Sequence, residues 1–361
     1  MKSVLPRLEI SLSQIRHNAQ VLSKLYGKRG ISIMGVSKGV LGEPSIINAM
    51  IQGGIHSIAD SRIETIEMMK NAGLSAQFVL LRTALSQAES VVQYADISLN
   101  TEMATLKRLS YYARAHNTIH QVIVMVEMGD LREGVLPGDL FRFIRQARLL
   151  SHINIVGLGC NLACYGGVKP DHKNMHELSN LVAAIEQEFQ FKLEIVSGGN
   201  SANYEWFHHA EDIGRVNNLR LGESILLGRE ALNRTAIPGL YTQAFQLVAE
   251  VIEAKQKPSL PSGDIGQDAF GNVPRFRDRG VGQRSLVALG RQDVLTSGLR
   301  SADALEILGS SSDHIILDSN SHPLRVGDEV NFTLNYGALL AAMTSPFIKK
   351  QFVANAGYMA A

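Results

Sequence analysis

The chain has 361 residues and a formal net charge of +1, with the apolar fraction of an ordinary globular protein. Charge so nearly balanced, without a basic stripe, argues against a nucleic-acid partner, and no apolar run approaches the roughly 20 residues that a membrane helix needs. The opening MKSVLPRLEI lacks a signal-peptide core, and the two cysteines, Cys160 and Cys164, are too few for a disulfide framework or a zinc site, so a cytoplasmic home is expected.

The length suits one large domain plus a smaller one. Residues 1–10 are expected to form a strand that joins the C-terminal domain. An amphipathic helix follows from about Leu12 to Leu25, with Ile15 and Leu22 on its apolar face. The first strand is then ISIMGVSK, and the helix after it has Pro44 near its start and Gly53 and Gly54 past its end. IHSIADS is the next strand. The helix behind it carries Ile63, Ile66 and Met69 on one stripe. Strands continue at AQFVLLR, ADISLN, QVIVMVEMGD, INIVGLGCN, FKLEIVSGG and IGRVNNLRLGE.

Eight such units predict a (β/α)8 barrel of the TIM type over residues 11–235. An open doubly wound sheet is the competing architecture, but GVSKGVLG is not the glycine-rich dinucleotide turn that usually marks it. From about Ile237 the texture changes to short alternating runs split by Gly, Pro, Asp and Ser. This predicts a C-terminal all-β domain over residues 236–361. A polar loop within it, QKPSLPSGDIGQDAFGNVPRFRDRGVG, is too long for a mere connection.

Barrel chemistry sits at the C-terminal ends of the strands. Read to their ends, the strands give Lys38, Asp60, Arg82, Asn100, Arg132, Asn161, Ser201 and Arg220. Taken singly these have ordinary readings: Asp60 and Arg82 as rim salt bridges, Asn100 as a helix cap. A lysine at the mouth of a buried strand is different. Desolvation lowers its pKa, which suits a nucleophilic amine. SGGNSAN after the seventh strand and RLGES after the eighth are turns of the kind that bind phosphate through backbone amides. A phosphate nest opposite a buried lysine points to pyridoxal phosphate held as a Schiff base.

The chain resembles the alanine racemase-type (fold type III) pyridoxal-phosphate enzymes, and within them the ornithine/lysine racemase branch. The resemblance spans nearly the whole sequence. It rests on LEISLSQIRHNAQ, VSKGVLG, MGDLREG, SGGNSANY, NNLRLGESILLGRE, KPSLPSGDIGQDAFG, ALGRQDV, LGSSSDHIILD and NYGALLAAMTSPFI. It implies that Lys38 holds the cofactor and serves one face of the substrate. It implies that Ser201, Gly222 and Tyr336 bind the phosphate, that Arg220 faces the pyridine nitrogen, and that Asn161 stands where the family has a histidine near the cofactor. Arg132 is implied beside the substrate carboxylate. The expected reaction is racemisation of a basic amino acid, ornithine or lysine, without a metal. Alanine, serine or another amino acid is the alternative substrate, and a lyase on the same fold the alternative reaction. An arginine at the pyridine nitrogen disfavours its protonation, because like charges repel. That suits an enzyme that only moves one proton.

The family's second catalytic base is a tyrosine from the partner subunit, and here Arg291 in LGRQDV stands in its place. Asp313, His314, Asp293 and, more remotely, Cys160 are the candidates to replace it, and Ser312 joins Arg291 as a candidate substrate contact. Asp264, Asp268 and Asp278 of the long loop are candidates to meet a distal ammonium, and turn residues otherwise. The expected assembly is a head-to-tail homodimer with shared active sites, and the expected partner is a small amino-acid substrate.

Overall fold

The computed structural model describes residues 5–303 and 305–354. The first strand, β1 (Arg7–Ile10), is followed by α1 (Leu12–Gly27) and then by eight parallel strands that close into a barrel in chain order. They are β2 (Ser32–Val36), β3 (Ser57–Asp60), β4 (Gln77–Leu80), β5 (Ile97–Asn100), β6 (His120–Met125), β7 (Ile153–Gly159), β8 (Ile195–Ser197) and β9 (Asn218–Leu221). Helices α2 (Pro44–Gln52), α3 (Ile63–Asn71), α4 (Ala88–Tyr94), α5 (Met103–Ala115), α6 (Pro137–Ala147), α7 (His172–Phe189), α8 (Tyr204–His209) and α9 (Glu223–Leu227) follow strands β2 to β9 in turn. The open-sheet alternative is thereby set aside: β9 pairs with β2 and closes the ring.

Local chemistry explains the helix limits. Pro44 and Pro137 open α2 and α6 at positions where the missing N–H costs nothing. Asp171 and Asn174 form a reciprocal capping box at the head of α7. Inside the ring, Met34, Val79, Ile97, Ile123, Val156 and their neighbours form one buried cluster, so the barrel is filled rather than hollow.

One polar chain runs through this interior. His120 Nε2 lies 2.8 Å from Ser98 Oγ, which accepts from Asn100 Nδ2 at 2.8 Å. The histidine is buried, and burial lowers its pKa from 6.5 to about 4. The unfolded chain therefore takes up this proton first as pH falls. The His120 contribution to instability is absent above pH 6.5, grows between pH 6.5 and about 4, and then levels off. It amounts to about 3 kcal/mol at the acid end. Urea unfolding of wild type against His120→Gln across this window is expected to show the variant losing less stability. Equal slopes would remove His120 from the acid response.

Residues 5–12, 243–303 and 305–354 make a second unit, and Ser13–Thr242 make the first. The barrel unit retains residues 236–242 because Ile237 and Leu240 are buried there and Asn18 exchanges two hydrogen bonds with the backbone of Tyr241. The second unit is built on the long strand β10 (Phe245–Pro258). Its other strands are β11 (Val281–Val287), β12 (Leu299–Ser301), β13 (Glu306–Ser310), β14 (Ile315–Asp318), β15 (Glu329–Leu334) and β16 (Lys349–Phe352). The sheet order is β12-β15-β10-β11-β14-β13, and β1 lies between β10 and β16, antiparallel to the first and parallel to the second.

This unit is not wholly β. The Ala- and Leu-rich run after Asn335 forms α10 (Tyr336–Thr344), with the Asn335 side chain accepting from the Ala338 amide. Among the described residues no helix is long and apolar enough to cross a membrane.

Candidate active site

Lys38 leaves the end of β2 in a single 3-10 turn, Lys38–Val40. The turn is anchored from below: the Ser37 hydroxyl donates to Asp60 Oδ2 at the end of β3, and the Arg62 amide donates to Asp60 Oδ1. Asp60 is buried and Arg82 donates to the Ser61 carbonyl. Neither is therefore a rim salt bridge, and both are spent on backbone and hydroxyl groups. Lys38 is exposed by area, yet the surrounding mouth still depresses its pKa. Desolvation is the main cause. Arg132 and Arg220 push the same way, against the opposing pull of Cys164 and Asp60.

Across the ring, the ends of β7, β8 and β9 are tied by one guanidinium. Arg220 is buried and donates to the Ser197 hydroxyl, to the Cys160 carbonyl at 2.7 Å and to Asn161 Oδ1 at 3.1 Å. Asn161 Oδ1 also accepts from Asn200 Nδ2 at 3.1 Å. Asn200 in turn accepts from the Ala202 amide and fixes the turn that carries Ser201.

Ser201 Oγ lies 3.1 Å from Ser224 Oγ and accepts from the Ser224 amide at 3.2 Å. Both hydroxyls are buried. Two hydroxyls carry two protons and their mutual bond uses one, so the pair retains a donor for an outside acceptor. Gly222 stands beside them, and a Cβ there would lie 3.3 Å from Val36 Cβ. The donor set suits an oxyanion.

The loop after β6 brings Arg132 to the same mouth. Glu127 folds it by accepting from the amides of Gly129, Leu131 and Arg132. Gly134 has φ +148, and a Cβ there would lie 2.1 Å from the Glu127 amide nitrogen, so no other residue fits. Buried Asp130 accepts from the Tyr165 amide at 2.9 Å and holds the neighbouring loop. Arg132 Nε pairs with Glu133 Oε2 at 2.6 Å.

In the second unit, the segments around Arg291 and Asp313 meet directly. The Arg291 and Gln292 amides donate to the carbonyls of Ser311 and Ser312. Gly290 permits this approach: a Cβ there would lie 2.3 Å from the Asp313 nitrogen and the Ser312 oxygen. Asp313 Oδ1 accepts from Ser311 Oγ at 2.9 Å and lies 3.0 Å from His314 Nδ1. The Ser311 hydrogen bond leads the effects that hold the Asp313 carboxyl below its usual range, so it is ionised at neutral pH. Arg291 stacks on Phe270 of the long loop, 3.9 Å from the ring centroid. Tyr336 begins α10 in this unit.

Residues 10–229 match the family described as alanine racemase, N-terminal domain. The chain is 40% identical to ornithine racemase of Acetoanaerobium sticklandii over 96% of its length and 99% of the relative's. It is 38% identical to lysine racemase of Thermotoga maritima, covering 97% and 99% of the two chains. The chain belongs to the alanine racemase family. A solved alanine racemase from Clostridium difficile 630 shares the fold, with a TM-score of 0.76 at 18% identity over 98% of this chain and 97% of that one.

Several sequence expectations change within this family frame. Asn100 is no helix cap: its amide donates to Ser98, and α5 begins three residues later with Glu102 before it. Cys160 is no base. It is fully buried, its thiol donates to the Gly198 carbonyl, and burial pushes its pKa up to about 12. Asp293 is buried and accepts from the Gly290 amide, which spends it on the turn. Asp268 accepts from the Phe270 and Asn272 amides, and Asp278 from the Gly280 amide and Ser259 hydroxyl, so both are turn residues. Glu127, Asp130 and Glu133 went unnoticed, although MGDLREG carries two of them beside glycines, a pattern that suggests carboxylates folding a turn.

Proposed function

We propose that this protein is a pyridoxal 5'-phosphate-dependent racemase of a basic amino acid, ornithine or lysine. The observation that carries the reading is the barrel mouth itself. A lysine with a lowered pKa shares it with a buried guanidinium and a hydroxyl pair that keeps a spare donor. Those residues fit the cofactor's aldehyde, ring and phosphate respectively. Near-full-length likeness to ornithine and lysine racemases supports the substrate class.

When bound, the cofactor draws electrons from the amino acid's Cα–H bond and makes that proton acidic. Lys38 would hold the cofactor, and on one face of Cα it takes the proton in one direction of the reaction and gives it in the other. Ser201, Ser224 and Gly222 hold the phosphate, and the family motif assigns Tyr336 to it as well. Arg132 receives the substrate carboxylate. Arg220, with Asn161 fixing it, keeps a permanent positive charge toward the ring nitrogen. Asp313 with His314 serves the opposite face, and Arg291 and Ser312 lie beside that pair as substrate contacts. The family's homodimer, in which one subunit's Lys38 works with the partner's Asp313, is the proposed assembly. The cytoplasm is the proposed location.

Chiral analysis of products from L-ornithine, L-lysine, L-alanine and L-serine, supplied in turn, tests the reading. Appearance of the D form from a basic amino acid is expected, and decarboxylated or cleaved products in its place would refute racemisation. Ser201→Ala is expected to weaken cofactor binding by roughly 1.5–3 kcal/mol, the worth of a charge-assisted hydrogen bond. An unchanged dissociation constant would move the phosphate elsewhere.

A further inference from the structure

A second recess opens at the ends of β4, β5 and β6, beside Arg132. It encloses ≈ 250 Å³, and Asn100, Glu102, Thr105, Met125, Arg132 and Glu133 line it. One of these lining residues, Asn100, carries a polar atom without a hydrogen-bond partner among the described residues. Asn100 is 4% exposed, and its Oδ1 is buried with no hydrogen bond.

The orientation of that amide is fixed. Asn100 Nδ2 donates to the Ser98 carbonyl at 3.1 Å, and a carbonyl only accepts. Nδ2 also donates to Ser98 Oγ, which lies 2.8 Å from Nε2 of His120. Turning the amide over would set Oδ1 against the Ser98 carbonyl oxygen. The acceptor is therefore held away from Ser98, awaiting a donor.

The charges around the recess narrow the donor further. Glu102 and Glu133 are its carboxylates, and Arg82 and Arg132 its guanidiniums. Arg82 is engaged with the Ser61 carbonyl. Arg132 and Glu133 pair with each other, a plus and a minus on adjacent residues facing one recess. A ligand with a carboxylate and a distant ammonium can replace both halves of that pair. It gives its carboxylate to Arg132 and its ammonium to Glu133. The orphan oxygen of Asn100 accepts one of the ammonium's remaining protons.

We propose that this recess is the specificity subsite for the substrate's side chain, in which Asn100 and Glu133 receive the terminal ammonium of a diamino acid. The inference rests on the racemase reading above and names what selects a basic substrate over a neutral one. A structural role for Asn100, closing β5 onto Ser98, accounts for its donors but not for its buried acceptor.

The test compares ornithine with norvaline, which has the same carbon chain without the ammonium, on the holoenzyme. Two readouts are taken: kcat/KM for racemisation, and the dissociation constant from the change in cofactor absorption on titration. Glu133→Gln is expected to lower the ornithine-to-norvaline preference about tenfold or more in both readouts. Asn100→Asp adds a negative charge at the same place and is expected to raise it. A merely structural Asn100 gives no rise. If wild type racemises ornithine and both variants keep the wild-type preference within about twofold, the subsite is elsewhere and the racemase reading stands. If wild type racemises only neutral amino acids, the basic-substrate reading fails and the subsite fails with it. Glu133 is only half-buried in a loop, so its glutamine variant folds even where the Asn100 variant does not.

Discussion

Borohydride reduction of the yellow holoenzyme is expected to fix the cofactor's mass to the peptide carrying Lys38 and to no other. The expectation follows from the one lysine that the barrel holds at the end of a strand, its pKa lowered chiefly by desolvation and also by two guanidiniums. Lys38→Ala then loses both the attachment and a proton carrier, and the latter alone is worth about 10²–10⁴-fold in rate. The same variant probes the proposed assembly. Lys38→Ala and Asp313→Ala proteins are each expected to be inactive, and after subunit exchange about a quarter of wild-type activity should return. Half of the random dimers are mixed, and one of the two sites in each is intact. Label on another lysine would overturn the mechanism. Heterodimers without activity would remove either the shared site or Asp313 from it.

Arg220→Glu is expected to raise transamination relative to racemisation at least about tenfold. The guanidinium is fully enclosed, so its charge is poorly screened. One unit charge at about 4 Å contributes roughly 4 kcal/mol at an effective dielectric of 20. Reversing it lets the ring nitrogen keep a proton, and protonated rings spread the substrate's negative charge far enough for misplaced reprotonation. The substitution also strands the Cys160 carbonyl and Asn161 Oδ1, which now face a carboxylate instead of a donor. Lower thermal stability should accompany the change in products. A folded, cofactor-loaded variant with an unchanged product ratio would show that Arg220 does not set the reaction's outcome.

The barrel was legible because its signals are local. Short β-branched strands alternate with amphipathic helices, and Lys38 ends the first of them whatever lies around it. The pieces that escaped depend on partners distant in sequence. Asn100 looks like a cap until Ser98 and His120 are seen beneath it. Asp60 looks like a surface acid until Ser37 donates to it. The strands LRS and KKQF are too short and polar to announce themselves, and only their neighbours make them strands. Glu133 is a surface-type residue by sequence, and it becomes interesting only because its loop turns it toward the ends of three barrel strands.

The pairing of β1 has a consequence for how the protein is made. Arg7–Ile10 leave the ribosome long before their partners, Phe245–Val248 and Lys349–Phe352. At about 5–20 residues per second, the first strand waits several tens of seconds with its hydrogen-bonding groups uncommitted, while the whole barrel is synthesised. A waiting edge is an invitation to wrong pairing. The alternation of Arg7 and Glu9 with Leu8 and Ile10 keeps charges on every second position during that interval. Chains that terminate between residues 335 and 348 keep β10 against β1 but lose β16, so premature termination there is expected to yield a second unit with one sticky edge.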